Sequence, residues 1–191
     1  MTSQLLDLAV MMHAEHDRAA REQMARLAGR LGYAAVHVPR ECSLSSDDVD
    51  SLVAAARPAI VVVDTDGDQT GRVRSVSLDV VRAARRELDA AADGRPLVVD
   101  VPVSIGRTRN EAAARAERDP RFVGDAHPEV SGVFGTFEQA QACVLALAEA
   151  GADVLLVTVP DELDVADVLA QVRALVVGAT PALFSRALRP Q

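Results

Sequence analysis

Residues 132–160 read GVFGTFEQAQACVLALAEAGADVLLVTVP: a short apolar strand, a Gly135-Thr136 turn, one amphipathic helix, a glycine stop and a second apolar strand. Thr136 and Gln139 have the spacing of a capping box, in which the threonine hydroxyl accepts from a free backbone N–H three residues on and the glutamine side chain reaches back. Ala140, Val144, Leu147 and Ala148 share one helical stripe, and Gly151 falls where a left-handed terminal residue is wanted. The stretch therefore predicts a strand-helix-strand unit with two parallel, neighbouring strands. The unbroken run Val154-Leu155-Leu156-Val157 suits a parallel strand buried on both faces.

The same grammar repeats outward from this unit. Leu5 to Met11 is a strand candidate, and Met24, Leu27, Ala28 and Leu31 mark a helix that Gly32 ends. Ala34 to Val38 is a second strand. Ser45 and Asp48 cap a helix carrying Val49, Leu52 and Val53, closed by Arg57-Pro58, and Ile60 to Val63 is a third strand. DTDGDQTGR, at 64–72, reads as a turn cluster. A helix from about Ser77 to Ala92 leads through Gly94 to a strand at Leu97 to Ile105, and Thr108 with Glu111 repeats the capping box. Residues 119–131 hold two prolines and no period, which predicts a long irregular crossing; Val165, Val168, Leu169, Val172 and Val176 mark a last core-facing helix.

Six strand candidates alternating with helices predict a parallel α/β protein in a single domain spanning 1–191. Two architectures fit: a shortened or incomplete (β/α) barrel, and an open doubly wound parallel sheet. The second usually announces a nucleotide site with a glycine-rich first turn, whereas MMHAEHD, after the first strand, has no glycine. A complete eightfold barrel takes about 250 residues, so this chain of 191 is a shortened one on the first reading.

Composition narrows the function. A chain with only 3% aromatics and abundant alanine and valine suits a core of helices packed on parallel strands. Net charge −8 offers no broad cationic field for nucleic acid or an anionic membrane, and no run approaches the roughly 18 apolar residues of a membrane span. An acidic Asp7 within the apolar N-terminus and the lack of a basic leader argue against a signal peptide, which points to the cytoplasm. Cys42 and Cys143 have no metal-ligand spacing and read as free thiols, so no metal is expected.

The residues resemble a family. GVFGTFEQAQACVLALAEAGADVLLVTVP followed by DVADVLAQVRAL is similar to the closing units of the bacterial luciferase-like flavin-dependent monooxygenases, which often carry a G-T-P-E-Q turn and an L-x-E-A-G-A/V-D helix end. ARLAGRLGYAAVHVP at 25–39 and VSLDVVRAARRELDAAADGRPLVV also resemble that family, so that about two thirds of the chain is covered. The resemblance implies a barrel-type fold, FMN or F420 at the C-terminal mouth, and oxidation or monooxygenation of a small organic substrate. Two departures stand against it: the family's central phosphate-binding region has no clear counterpart, and the second strand ends His37-Val38-Pro39-Arg40-Glu41 where relatives often lead into an acidic-histidine pair. A non-catalytic relative, working as a homodimer or beside a full-length homologue, is the alternative.

The candidate site residues follow. His13 and His16, flanking Glu15 after the first strand, are the candidate catalytic pair, since imidazole titrates near neutrality and can move a proton. Arg107 and Thr108, with Gly135 and Thr136, are the candidate cofactor-binding turns, because free N–H groups at a helix start and a forked guanidinium both suit phosphate. The competing reading makes them helix caps and a solvated arginine. Asp64, Asp66 and Asp68 faintly suggest a cation loop but lack its downstream bidentate acid.

Overall fold

The computed structural model describes residues 6–12, 15–63, 71–92, 94–119, 121–122, 127–158 and 165–177. In chain order they form β1 (Asp7–Met11), α1 (Arg18–Leu31), β2 (Ala35–Val38), α2 (Ser46–Ala56), β3 (Ile60–Val63), β4 (Arg72–Val73) and α3 (Leu78–Ala90). There follow β5 (Val98–Gly106), α4 (Arg109–Ala116), α5 (Pro128–Ser131), β6 (Val133–Thr136), α6 (Phe137–Glu149), β7 (Val154–Thr158) and α7 (Val165–Val177). All pairings are parallel and form one sheet in the order β3-β2-β1-β7-β5-β4, with β6 also on β5. The α/β class and parallel sheet are as the sequence predicts. Among the described residues the sheet does not close into a barrel.

The boxes at Ser45 and Thr136 close as their spacing implies. Ser45 and Asp48 form a complete capping box on α2, Asp17 caps α1, and Gly32 ends α1 with φ 74 in the left-handed region. Two expectations need correction. First, β4 lies partly within the predicted turn cluster; two residues are too short to leave a period, and only Val98 donating its N–H to Gly71 O and the register Arg72↔Val98 reveal it. Second, β6 and β7 are parallel but not neighbours, because β5 runs between them.

The length of β5 makes this possible. Leu97 O receives the N–H groups of Asp153 and Val154 on the β7 side, whereas Val98 N points to Gly71 beside β4. Alternation by two then turns the backbone of Pro102 towards β4 and β6. Pro102 falls between the stretch paired with β4 (Val98, Val99) and the stretch paired with β6 (Val103 to Gly106), so its missing N–H costs no ladder bond. Its carbonyl faces Gly132, where a Cβ would lie 2.5 Å from that oxygen and from the Phe122 ring.

The main core lies on one face of the sheet. Val10, Val36, Val99, Val101, Leu155 and Val157 pack there against Met24, Leu27, Leu52, Val81, Val144, Leu147, Leu169 and Leu175 from α1, α2, α3, α6 and α7. Tyr33 is buried among them and donates to Leu169 O at 2.9 Å, tying the start of β2 to α7. Helix α4 packs on the opposite face, where its Ala112 and Ala116 cluster with Phe122 and with Phe134 of β6. Right-handed crossovers explain both placements: the connection from β5 to β6 runs opposite to those from β1 to β2 and from β6 to β7, so its helix falls on the other side. Five helices on one face are the barrel-like trait; α4 on the other is the doubly wound one.

Candidate functional site

The second face of the sheet presents its side chains in rows across the strands. One row runs Asp7, Val154, Val98, Arg72; the next Ile60, Ala35, Ala9, Leu156, Asp100; a third Val62, His37, Met11, Thr158, Pro102. Each row is set by parallel register, which brings together residues far apart in the chain. Ala9, Met11, Ala35 and Leu156 make a small apolar centre.

Asp100 lies at the polar end of the second row and is 5% exposed. Its Oδ2 accepts from Arg72 Nε at 3.1 Å and Nη2 at 2.8 Å, and its Oδ1 accepts from Arg121 Nη2 at 3.0 Å. Arg74 approaches at 3.6 Å from an exposed position. Arg121 is itself held by its backbone N–H, which donates to the buried Asp119 at 2.8 Å. The cluster bridges β4, β5 and the segment after α4. An aspartate inside the apolar strand VVDVPVS was the available sequence signal, since a buried charge demands a partner; its arginines, 28 and 21 residues away, carried none.

Towards the N-terminal ends of the strands the same face holds a cavity of about 380 Å³, within the range usual for small-molecule sites. Its aliphatic lining comes from Ala35, Ile60, Val62, Val98 and Val154, and its polar lining includes Asp7, His37, Arg72, Arg95 and Asp153. Asp153 is committed to the scaffold: it accepts from Leu97 N at 2.8 Å and pairs with Arg85, which also donates twice to Gly151 O. Residues on both sheet edges, β3 and β4, line this one cavity.

The candidate cofactor turns lie at the other end of the sheet. Gly106 and Thr136 are register partners, so the Arg107-Thr108 and Gly135-Thr136 turns stand side by side at the C-terminal ends of β5 and β6. Each is filled by its own side chains. Gln139 N donates to Thr136 Oγ1 at 3.4 Å and Thr136 N to Gln139 Oε1 at 3.0 Å. Gly135, with φ 121, has the Gln139 amide where a Cβ would go, so its glycine serves the cap. Glu138 lies in the first turn, where its own backbone N–H and then the Thr136 hydroxyl hold its carboxyl below the usual range.

At the other turn Glu111 N donates to Thr108 Oγ1 at 3.2 Å, and the Glu111 carboxylate accepts from Arg107 N at 2.9 Å, one residue earlier than in the predicted box. Arg115 reinforces it, donating to Glu111 at 3.0 Å and to Ile105 O at 2.6 Å. A carboxylate thus stands at each helix start, in the place and with the charge that a phosphate would have.

His16 lines a smaller cavity of about 230 Å³ with Gln23, Met24 and Leu27 of α1 and Val165 and Ala166 of α7. Its proposed companion His13 lies outside the described residues, as do Asp64, Asp66 and Asp68. His37 belongs to the third row and lines the larger cavity. Cys42 and Cys143 are half-buried and in no disulfide among the described residues, and burial pushes the Cys143 thiol up. Among the described residues no group of three His, Cys, Asp or Glu could hold a metal, and no helix is long and apolar enough to cross a membrane. No protein-family model matches this chain, and no curated sequence does either.

Proposed function

We propose that this chain is a shortened luciferase-like protein that serves as a non-catalytic partner subunit, joining a second copy or a full-length homologue along the outer edge of β3. The observation that supports this reading is the state of that edge. The strand is Ile-Val-Val-Val, unpaired on its outer side among the described residues, with Ile60 63% and Val63 42% exposed. An exposed apolar edge strand is a template for pairing with another chain, and monomers normally blunt it with charge, proline or a cover. The filled helix starts at Thr108 and Thr136 agree with a protein that has no phosphate to hold there.

The test is the mass of the purified protein in solution, measured by sedimentation for the native chain and for Val63→Lys. The reading expects an oligomer that the lysine dissociates while the helical signal in circular dichroism is kept. A native monomer, alone and mixed with a full-length homologue from the same genome, overturns it.

A second reading has its own observation. The two turns are adjacent at neighbouring strand ends, the arrangement a flavin phosphate would need, and this favours a flavin-dependent oxidoreductase of monooxygenase type acting on a small organic substrate. Titration with FMN and with F420 decides between them. Micromolar binding lost in Arg107→Ala establishes the second reading; no binding of either leaves the partner subunit.

A further inference from the structure

Asp100 is the third residue of nine in β5, so its cluster lies near the N-terminal end of that strand, away from the turns at Arg107 and Thr136. Three guanidinium groups meet its one carboxylate: Arg72 at 2.8 Å, Arg121 at 3.0 Å and Arg74 at 3.6 Å. The carboxylate needs only the first two. Arg72 occupies Oδ2 with two N–H bonds and Arg121 donates to Oδ1, whereas 3.6 Å is too long for a hydrogen bond, so Arg74 is held beside like charges that repel it. Elsewhere the chain matches base to acid: Arg82 lies by Asp79, Arg109 by Glu129 and Arg115 by Glu111. With net charge −8 the surplus here does not come from a generally basic surface.

Pairing Asp100 with Arg72 leaves two cations, Arg74 and Arg121. Arg74 follows the two residues of β4, whose register sets it beside Asp100, and its side chain is 67% exposed; Arg121 reaches the same carboxylate from the segment after α4 and is partly open to water. Asp119, the other acid here, is buried and accepts from the Arg121 backbone N–H, and with its charge counted as well the cluster stays cationic. We infer that Arg74 and Arg121 bind a small phosphate dianion, free or as the monoester of a small molecule. Two forked guanidinium groups suit a tetrahedral oxyanion, and two surplus cations balance a dianion where a carboxylate would balance one. Asp100 and Asp119 are the positioning residues: they hold the arginines in place before the anion arrives, which lowers the cost of ordering them on binding. This inference stands apart from the partner-subunit reading, since neither arginine belongs to β3.

The test is calorimetry of the full chain in low salt, where screening is weak, with inorganic phosphate, glycerol 1-phosphate and acetate as probes. Both phosphates should bind at least about tenfold more tightly than acetate, and the tighter of the two identifies the source of the dianion. Arg74→Gln should weaken phosphate binding about tenfold and Arg121→Gln by at least as much, while Arg86→Gln, which removes the same charge from an exposed position on α3, should leave it unchanged. Arg74 is exposed, so its replacement does not threaten the fold, and it decides the matter alone if Arg121→Gln unfolds. No binding of either phosphate, acetate bound as tightly as phosphate, or an Arg74→Gln protein that binds like Arg86→Gln overturns the inference.

Discussion

The Asp100 carboxylate accepts two N–H bonds from the Arg72 guanidinium, at 3.1 and 2.8 Å, with both side chains largely withdrawn from water. Two residues of β4 are thereby fastened to β5 by more than their short ladder. Removing one member leaves the other buried and uncompensated. Asp100→Leu should destabilise the chain by about 3 kcal/mol in denaturant unfolding, whereas Asp100→Leu with Arg72→Met should recover most of that loss. Equal instability of the single and double variants would mean that shape, not charge, governs this site.

Tyr33 is the sole tyrosine of a chain without tryptophan, so its phenol can be followed alone by ultraviolet absorbance. Burial pushes its ionisation well above the ordinary value of 10.0. A group raised in the folded state contributes stability that is complete below its unfolded pKa and is lost as pH climbs through the folded one. Stability should therefore fall only above about pH 10, with phenolate absorbance appearing together with unfolding. Tyr33→Phe, which also loses the bond to Leu169 O, should cost about 1 kcal/mol at neutral pH and flatten this alkaline limb.

Asp48 is held below its ordinary range first by the Ser45 hydroxyl, then by the Ser45 backbone and Arg18; Glu22 is held low first by Ser51, then by Arg18. Depressed carboxylates contribute stability that is present above the unfolded pKa and is lost as pH falls through the folded value. Unfolding midpoints should hold steady from neutrality to about pH 5 and decline below the ordinary carboxylate range near 4. In Ser45→Ala the Asp48 titration, read by NMR, should move back up, with a loss of about 1 kcal/mol for the cap.

Thr136→Val should cost about 1 kcal/mol, because α6 loses one half of its capping box. On the partner-subunit reading the same variant leaves the response to FMN and F420 unchanged. A Thr136→Val protein that unfolds like the native chain but loses flavin binding would reassign the turn to a ligand.

Gly29 sits within α1, and a Cβ there would press into the carbonyl oxygens of Ala56 and Arg57 at the end of α2. Helix propensity alone makes Gly→Ala stabilising by up to about 1 kcal/mol. The close approach reverses the sign: Gly29→Ala should lower stability by about 1–3 kcal/mol. The unfolding midpoint under denaturant checks which effect wins.

Gly29 also marks where local reading ends. ARLAGRLG shows a helix with an internal glycine, but the crowding that requires it comes from Ala56, 27 positions later. The same holds at Asp100, whose burial was inferable from VVDVPVS while Arg72 and Arg121 were not. By contrast Thr136 and Gln139, or Ser45 and Asp48, meet within one helical turn, and both boxes are formed as spaced.

By itself the sequence determined the strand-helix rhythm, the parallel α/β class, the caps at Ser45 and Thr136, and the stripe from Ala140 to Leu147, because each depends on residues a few positions apart. Only the tertiary structure decided that β5 separates β6 from β7, that α4 lies on the opposite face, that the β3 edge stays unpaired among the described residues, and that Asp7, Val154, Val98 and Arg72 share one row. Those outcomes depend on strand register and crossover direction, which are set when distant segments compete for the same sheet edge, and no local pattern of residues encodes that competition.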